Sequence, residues 1–266
     1  MVDRISSRQN ATVKRFRALA RSPIGDQVLL EGAHLVEEAL ATGVAIETAA
    51  FSESAAGGPL ASLVSRAERL GCPVAIVADA VFPALSPVQN STGAVAIARL
   101  GRSTVAMAIA SAPQLVLIVD GVQDPGNIGA IIRAAEGCGA TGVIVGSGSA
   151  DPFGWKALRG SMGSTLRLPV VAGESLLDAL DAVKMAGVQV VATAPRGGTL
   201  LSHADLRRPV AVILGGEGRG IPESLLATAD QRITIPMRPP VESLNVAVAA
   251  ALVLYEASRQ RADVAV

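Results

Sequence analysis

This 266-residue sequence predicts an α/β fold with a parallel sheet in its carboxyl-terminal half, on three observations. Half the residues are apolar, with Ala, Val, Leu and Gly abundant and only 2% aromatic. That is the composition of packed strands and helices, not of a coiled coil or a disordered chain. Strand-like runs alternate with helical ones along most of the chain. Residues 115–119, Leu-Val-Leu-Ile-Val, form an unbroken apolar run of the kind found where a parallel strand is covered on both faces. The length accommodates two domains of ordinary size, and the pattern divides as 1–99, a weakly patterned linker with room for some helix over 100–113, and 114–266.

Several function classes drop out early. The longest apolar candidate for a membrane span, residues 246–254, is about half of the ~20 residues needed, so no membrane partner is expected. The start, Met-Val-Asp-Arg-Ile-Ser-Ser-Arg, lacks the apolar core of a secretory signal, which points to the cytoplasm. Cys72 and Cys138 have neither a CxxC partner nor a neighbouring His, which reads as reduced structural thiols and no metal site. Net charge is zero, yet Arg4, Arg8, Lys14, Arg15, Arg17 and Arg21 precede residue 22 against the single acid Asp3. A solvated helix face accounts for such a run. These residues lack balancing acids four positions on, and an RNA phosphate backbone fits them as well.

Within the first domain the basic helix spans roughly 11–20 and ends before Pro23. Residues 28–30 read as a short buried strand and 31–40 as an amphipathic helix closed by Thr42 and Gly43. Strand 46–51, a break at Gly57, Gly58 and Pro59, a helix to Leu70 and strand 74–77 follow. A turn over 80–85 leads to a last strand, 92–98. His34 reads as a packed surface histidine.

The second domain opens with the apolar run ending at Asp120. Asp124-Pro-Gly stops the strand, Asn127 is placed to cap the next helix, and Arg133 projects from that helix with Glu136 three residues on as an ordinary ion-pair partner. Asp120 and Asp124 have no evident third ligand, so capping is preferred to metal binding. Strand 142–145 and a Gly/Ser-rich loop lead to the only tryptophan, Trp155, on a short helix. Core packing is expected for it, and Arg159 and Ser161 are candidates to face a substrate. Strand 168–171, helix 175–186, strand 189–193 and strand 210–214 continue the alternation. After the last comes Gly215-Gly-Glu217-Gly-Arg-Gly220, where glycines beside one carboxylate permit close backbone approach. No Gly-Lys-Ser/Thr follows, and the glycine spacing is wrong for a dinucleotide fingerprint.

The last segment, 233–260, is the one around which the others are organised. Strand 233–235 is stopped by Pro236, Pro239 and Pro240 hold a bend, and Ser243 is read as the start of an Ala-rich helix. Ser243 could serve as an ordinary cap. The polar set Glu242, Ser243 and Asn245 becomes more pointed because all three polar clusters lie at carboxyl ends of predicted strands, where open α/β sheets carry their sites.

Taken together, Asn127-x5-Arg133, Gly215-x-Glu217-x-x-Gly220, and Ile235-Pro-Met237 followed by Ser243-Leu-Asn245 resemble the SpoU family of RNA ribose 2′-O-methyltransferases, within the SPOUT superfamily. The resemblance covers residues 115–260 with the motifs in the family's order. Softer similarity joins the first domain to a ribosomal-protein-like substrate-binding domain, through its basic start, Leu29-Leu-Glu-Gly-Ala-His34 and the strand after Gly93.

The resemblance implies a parallel sheet closed by a deep trefoil knot, an exception to unknotted topology. It implies S-adenosylmethionine held near Thr193, Ala194, Gly215, Gly216, Ile235, Met237 and Leu244, and a homodimer to which helix 245–260 contributes. Catalytic positions are Arg133, Asn127, Glu217, Ser243 and Asn245, and the RNA is met by Arg4, Arg8, Lys14, Arg15, Arg17 and Arg159. Ribosomal RNA is favoured as substrate over transfer RNA. Readings from other classes are a non-catalytic RNA-binding protein on the same scaffold and a nucleotide-dependent oxidoreductase. The first is opposed by the presence of Arg133 and Asn245, the second by the lack of a fingerprint. For Arg133 two roles stay open, orienting the 2′-hydroxyl and its phosphate or acting as general base. A guanidinium's reluctance to lose its proton favours the first.

Overall fold

The computed structural model describes residues 2–216, 218 and 220–262. Two compact units emerge, residues 2–101 with Phe153–Arg167, and the remainder from Arg102 on.

The first unit is built on β1 (Val2–Ile5), α1 (Ala11–Leu19), β2 (Gln27–Glu31), α2 (Ala33–Thr42), β3 (Ala45–Ser52), α3 (Glu53–Ala56), α4 (Ala61–Arg69), β4 (Val74–Val77) and β5 (Ala94–Arg99). Its mixed sheet runs β1-β4-β3-β5-β2. The parallel edge strand β1 was not expected: the exposed Asp3 and Arg4 precede the buried Ile5 and hide the strand pattern. Asn10 caps α1 by accepting the Thr12 amide at 2.8 Å. That helix buries Val13, Phe16 and Leu19 on the sheet face carrying Leu29, Val77, Val95 and Ile97. Residues of opposite parity, Val28, Leu30, Phe51, Ala96 and Ala98, pack with α2 and α4 on the other face.

The second unit continues with α5 (Val105–Ala108), β6 (Leu115–Asp120), α6 (Pro125–Gly137) and β7 (Gly142–Val145). The stretch read as a linker thus holds a helical turn whose Val105 and Ala108 join this unit's core. Next, α7 (Trp155–Ser161) packs with the first unit: Trp155 against Phe16 and its neighbours, Leu158 against the cluster around Leu30. Ser161 is fully buried and donates to the Leu158 carbonyl at 2.8 Å, so the substrate-facing role expected for it is ruled out by packing. Then come β8 (Val170–Ala172), α8 (Leu176–Met185), β9 (Gln189–Thr193), β10 (Thr199–Leu200), β11 (Val210–Gly215), α9 (Glu223–Leu226), β12 (Gln231–Thr234) and α10 (Val246–Ala262).

The second sheet is parallel throughout, in the order β10-β12-β9-β11-β6-β7-β8. Val116, Ile118, Ala211 and Ile213 meet α5 and α8 on one face. The alternate residues, equally buried, lie on the side of α6 and α10. From β6 the chain proceeds one way through β7 and β8, then returns on the other side of β6, where β11 is its neighbour. The strand order therefore reverses between β6 and β11, which is where such sheets open a crevice at their carboxyl ends.

The end of α10 is fastened to this unit. Arg261 donates to the carbonyls of Pro113, Gln114, Leu206 and Arg208 at 2.8–3.0 Å. Glu256 accepts from Arg259 and Gln260, and Gln260 in turn accepts the Leu206 amide. The Arg259 hydrogen bonds foremost hold the Glu256 carboxyl at about 2, below the ordinary 4.5. A carboxyl depressed by folding contributes stability that is complete above the unfolded value and lost as pH falls through the folded one. Glu256→Gln is accordingly expected to flatten the loss of stability between pH 4.5 and about 2, as read by urea unfolding across that window. An unchanged pH profile would show that the network adds nothing.

Candidate active site

Three backbone segments meet at the β6/β11 reversal. Gly215, the last residue of β11, stands in register with Asp120, the last of β6. Beyond them the chains press together so closely that side chains are excluded: a Cβ on Gly216 would lie 1.8 Å from the Gly121 carbonyl oxygen. One on Gly215 would lie 2.4 Å from the Gly220 carbonyl carbon. A bridge between Gly216 and Gly220 closes the loop. Glu217 lies outside the described residues. Sequence reading did not single out Gly121, although the Asp-Gly pair ending an apolar strand carried the signal. Its φ of 73° suits glycine, and its carbonyl is the surface against which Gly216 sits.

Helix α6 starts beside this contact because Asp124 caps it, accepting the Gly126 and Asn127 amides at 2.6 and 3.0 Å. Asp124, not Asn127, is therefore the cap, and Asn127 is left to point its amide elsewhere. Asn127 Oδ1 accepts from Asn245 Nδ2 at 3.2 Å, across 118 residues of sequence. Asn245 Oδ1 in turn accepts the Ala247 and Val248 amides at 2.9 and 3.3 Å, making it the cap of α10. The helix begins at Val246, three residues later than the Ser243 start expected, because the Asn245 side chain captures these amides; Ser243 is an exposed residue ahead of it. One side chain thus sets the start of α10 and ties it to α6.

Arg133 is not drawn into this pair. Six residues past Asn127 it lies about 9 Å along the helix and about 120° around it. Among the described residues no ion pair or hydrogen bond engages it, so the expected pairing with Glu136 is not formed. Its guanidinium is exposed and all its donors are available.

The residues expected to hold a cofactor follow the neighbouring strand ends. Thr193 lies beside Ile233 in register and donates to the Ile213 carbonyl at 3.1 Å. The Ala194 amide is already given to Ile233 at 2.8 Å, so this residue can offer a ligand only its carbonyl and methyl. Ile235, Met237 and Leu244 are half-buried along the irregular stretch between β12 and α10. Apolar half-buried walls next to side-chain-free backbone suit a flat heterocycle read by main-chain groups.

The basic residues sort differently. Arg4, Arg8, Lys14 and Arg17 are exposed. Arg15 forms an ion pair with Glu47, which also pairs with Arg99 and accepts from Gln27 at 2.9 Å, so Arg15 is largely committed to the fold. Arg159, exposed, lies 3.7 Å from the buried Glu31 carboxylate, which Ser86 and Ser91 also serve. His34 is exposed on α2, its Nε2 3.3 Å from the Met162 carbonyl. Burial raises the pKa of both Cys72 and Cys138. Among the described residues no helix is long and apolar enough to cross a membrane, and no group of three His, Cys, Asp or Glu is set to hold a metal.

Loss of Asn245 tests the double role of that residue. Asn245→Ala should cost about 1 kcal/mol through the missing cap, whereas Asn245→Asp keeps the cap acceptor, loses only the Nδ2 donor to Asn127 and should cost less. Urea midpoints that do not separate the two variants would show that the cap contributes nothing measurable.

A parallel sheet with polar segments gathered at a strand-order reversal, and close backbone approach of Gly216 to Gly121 there, defines an α/β protein with a candidate ligand site lined by main chain. The chain belongs to the SpoU rRNA Methylase family, whose model matches residues 114–255. A second model, RNA 2′-O ribose methyltransferase substrate binding, matches residues 29–104. A tRNA/rRNA methyltransferase of Synechocystis, itself uncharacterized, is 36% identical over 97% of this chain and 94% of its own. The 23S rRNA (guanosine(2553)-2′-O)-methyltransferase RlmP of Bacillus subtilis is 33% identical over 94% of this chain and 97% of its own. Among solved structures, an AdoMet-bound rRNA methyltransferase from Sinorhizobium meliloti superposes with a TM-score of 0.84 at 30% identity, covering 97% of this chain and 98% of that one.

Proposed function

We propose that this protein transfers a methyl group from S-adenosylmethionine to a ribose 2′-hydroxyl of RNA, with ribosomal RNA as the substrate class. The observation that carries this reading is the meeting of Gly215–Gly216 with Gly121 beside the Asn127–Asn245 pair, in a chain of this family. The relatives' names favour ribosomal RNA. Thr193, Ala194, Gly215, Gly216, Ile235, Met237 and Leu244 would hold the cofactor, which when bound supplies an electrophilic methyl on a sulfonium.

What the protein must add is alignment and treatment of a proton on an oxygen that is a poor nucleophile at neutral pH. Arg133, with its donors available, binds the phosphate next to the target ribose and polarises the hydroxyl. Its own proton is not readily given up, so orientation is preferred to general-base action. Asn127 and Asn245 hold the ends of α6 and α10 in the geometry this requires. Glu217 and Ser243 are assigned to the ribose side. Arg4, Arg8, Lys14, Arg17 and Arg159, with Arg15 in a lesser part, meet the RNA backbone.

Three finer features complete the proposal. The segment after β12 threads a trefoil knot, a reading supported by β12 lying between β10 and β9 while α10 returns to pack on α6. The first unit acts as a ribosomal-protein-like substrate-binding domain in a cytoplasmic enzyme. A second copy docks on α10, where Val248, Leu252 and Tyr255 are exposed at helical spacing on one stripe.

The test is transfer of labelled methyl from S-adenosylmethionine to purified ribosomal and transfer RNA, with the nucleoside identified by mass spectrometry. A 2′-O-methyl mark on ribosomal RNA is expected. Labelling of transfer RNA alone would move the substrate class, and absence of cofactor binding would overturn the reading.

A further inference from the structure

We propose that a depression between α1 and the turn Phe82–Ala84 is an RNA contact in its own right, taking one nucleotide with its phosphate between Arg8 and Arg17. The depression has a volume of about 320 Å³ and is lined by Arg8, Arg17, Pro83 and Ala84. This inference rests on RNA being the substrate, and it joins Arg8 and Arg17, which precede the substrate-binding region matched over residues 29–104, to Pro83 and Ala84 within it.

The geometry separates these arginines from their neighbours. Arg15, on the same helix, is committed to Glu47. Arg8 gives one hydrogen bond, at 3.1 Å, to the Ala80 carbonyl, which fixes the guanidinium at the edge of the turn and leaves it further donors. Among the described residues no ion pair or hydrogen bond engages Arg17. Lys14 lies one turn before Arg17 on the exposed face, opposite the buried Val13, Phe16 and Leu19. No acid stands in the first turn of this helix, and the acid next in sequence to Ala80, Asp79, accepts from the Ser54 amide and hydroxyl.

Two guanidinium groups bordering an apolar floor match the two halves of a nucleotide. The planar forks pair with phosphate oxygens, and the ring or sugar rests against Pro83 and Ala84, where a guanidinium plane can also stack on a base. The volume is at the low end of small-ligand sites, roughly 300–1,000 Å³, which suits one nucleotide of a single-stranded segment rather than a duplex.

The experiment uses the full chain and a fluorescent ribosomal-RNA transcript titrated over a series of salt concentrations, with S-adenosylmethionine binding measured in parallel. Arg8→Ala/Arg17→Ala should weaken RNA binding about tenfold and reduce the slope of log affinity against log salt by about 0.7 to 1, the share of the one phosphate held between them. Cofactor binding should be unchanged. Arg17→Glu, which removes no internal contact, should weaken binding further without altering thermal stability. Arg69→Ala/Arg208→Ala removes the same charge from exposed positions elsewhere and should leave affinity and slope as they are.

An equal loss in that control, or wild-type affinity in the Arg8/Arg17 variant, overturns the site while leaving RNA methylation intact. A loss of binding to anionic lipid vesicles, with RNA binding retained, overturns it in favour of a membrane surface. If the wild-type chain neither binds nor methylates RNA, the functional reading falls and this site with it.

Discussion

Arg133→Ala is expected to lower methyl transfer at least about 100-fold, the scale on which a charge-stabilising donor acts at a reacting oxygen, while S-adenosylmethionine binds with wild-type affinity. The separation follows from where the side chain stands. Arg133 is on the exposed face of α6, and among the described residues no ion pair or hydrogen bond engages it, so its removal leaves no internal carboxylate stranded. The positions proposed for the cofactor lie on other segments, at or after the ends of β9, β11 and β12. Stability should therefore change by no more than about 0.5 kcal/mol, as for other surface substitutions. Arg133→Lys keeps the charge but loses the planar fork, and should recover only part of the rate if bidentate phosphate binding is what matters. Single-turnover transfer, with cofactor affinity measured by calorimetry, separates the two effects. Full turnover by Arg133→Ala would falsify the assignment of this residue.

The central strands of the second sheet were legible because they are short apolar runs, and burial on both faces leaves little else such a run can be, whereas the exposed two-residue edge strand β10 was not read. Helix 175–186 was legible from its alternation with the strands, and Ser175 caps it by accepting the Asp178 amide; the caps read for α6 and α10, Asn127 and Ser243, gave way to Asp124 and Asn245. What escaped was decided by contacts distant in sequence. Strand β1 exists because β4 offers an edge, and nothing local in Val-Asp-Arg-Ile announces it. Ser161 looked available beside Arg159, yet the packing of α7 on the first unit's core sends its hydroxyl inward.

At the candidate site the residue types were readable and their division of labour was not. Asn127 and Asn245 were both marked, but that Asp124 caps α6, freeing Asn127 for a bond to Asn245, depends on two helices meeting. Arg15 and Arg17 are equally basic on paper; Glu47, thirty-two residues away, makes one structural and leaves the other exposed.

Gly216→Ala is expected to remove cofactor binding and to destabilise the second unit by about 3 kcal/mol, the upper end of overpacking costs. The added methyl would stand 1.8 Å from the Gly121 oxygen, 2.3 Å from its carbonyl carbon and 3.0 Å from the Val122 nitrogen. All three are backbone atoms, so no rotamer change can relieve the clash, and either the loop after β11 or the Asp120–Gly121 turn must move. Both candidates for movement adjoin the ends of β6 and β11, which stay in register to Asp120 and Gly215. Gly137→Ala makes the opposite case from the same residue type. That glycine ends α6 with no heavy atom within 4 Å of the added methyl, so the exchange should stabilise by about 0.5–1 kcal/mol through helix propensity and reduced unfolded-state freedom. Urea unfolding of both variants, with calorimetric titration of S-adenosylmethionine, measures the contrast. If Gly216→Ala bound the cofactor normally, the close approach of the two backbones would be a packing detail, and recognition would have to reside in the half-buried Ile235, Met237 and Leu244 instead.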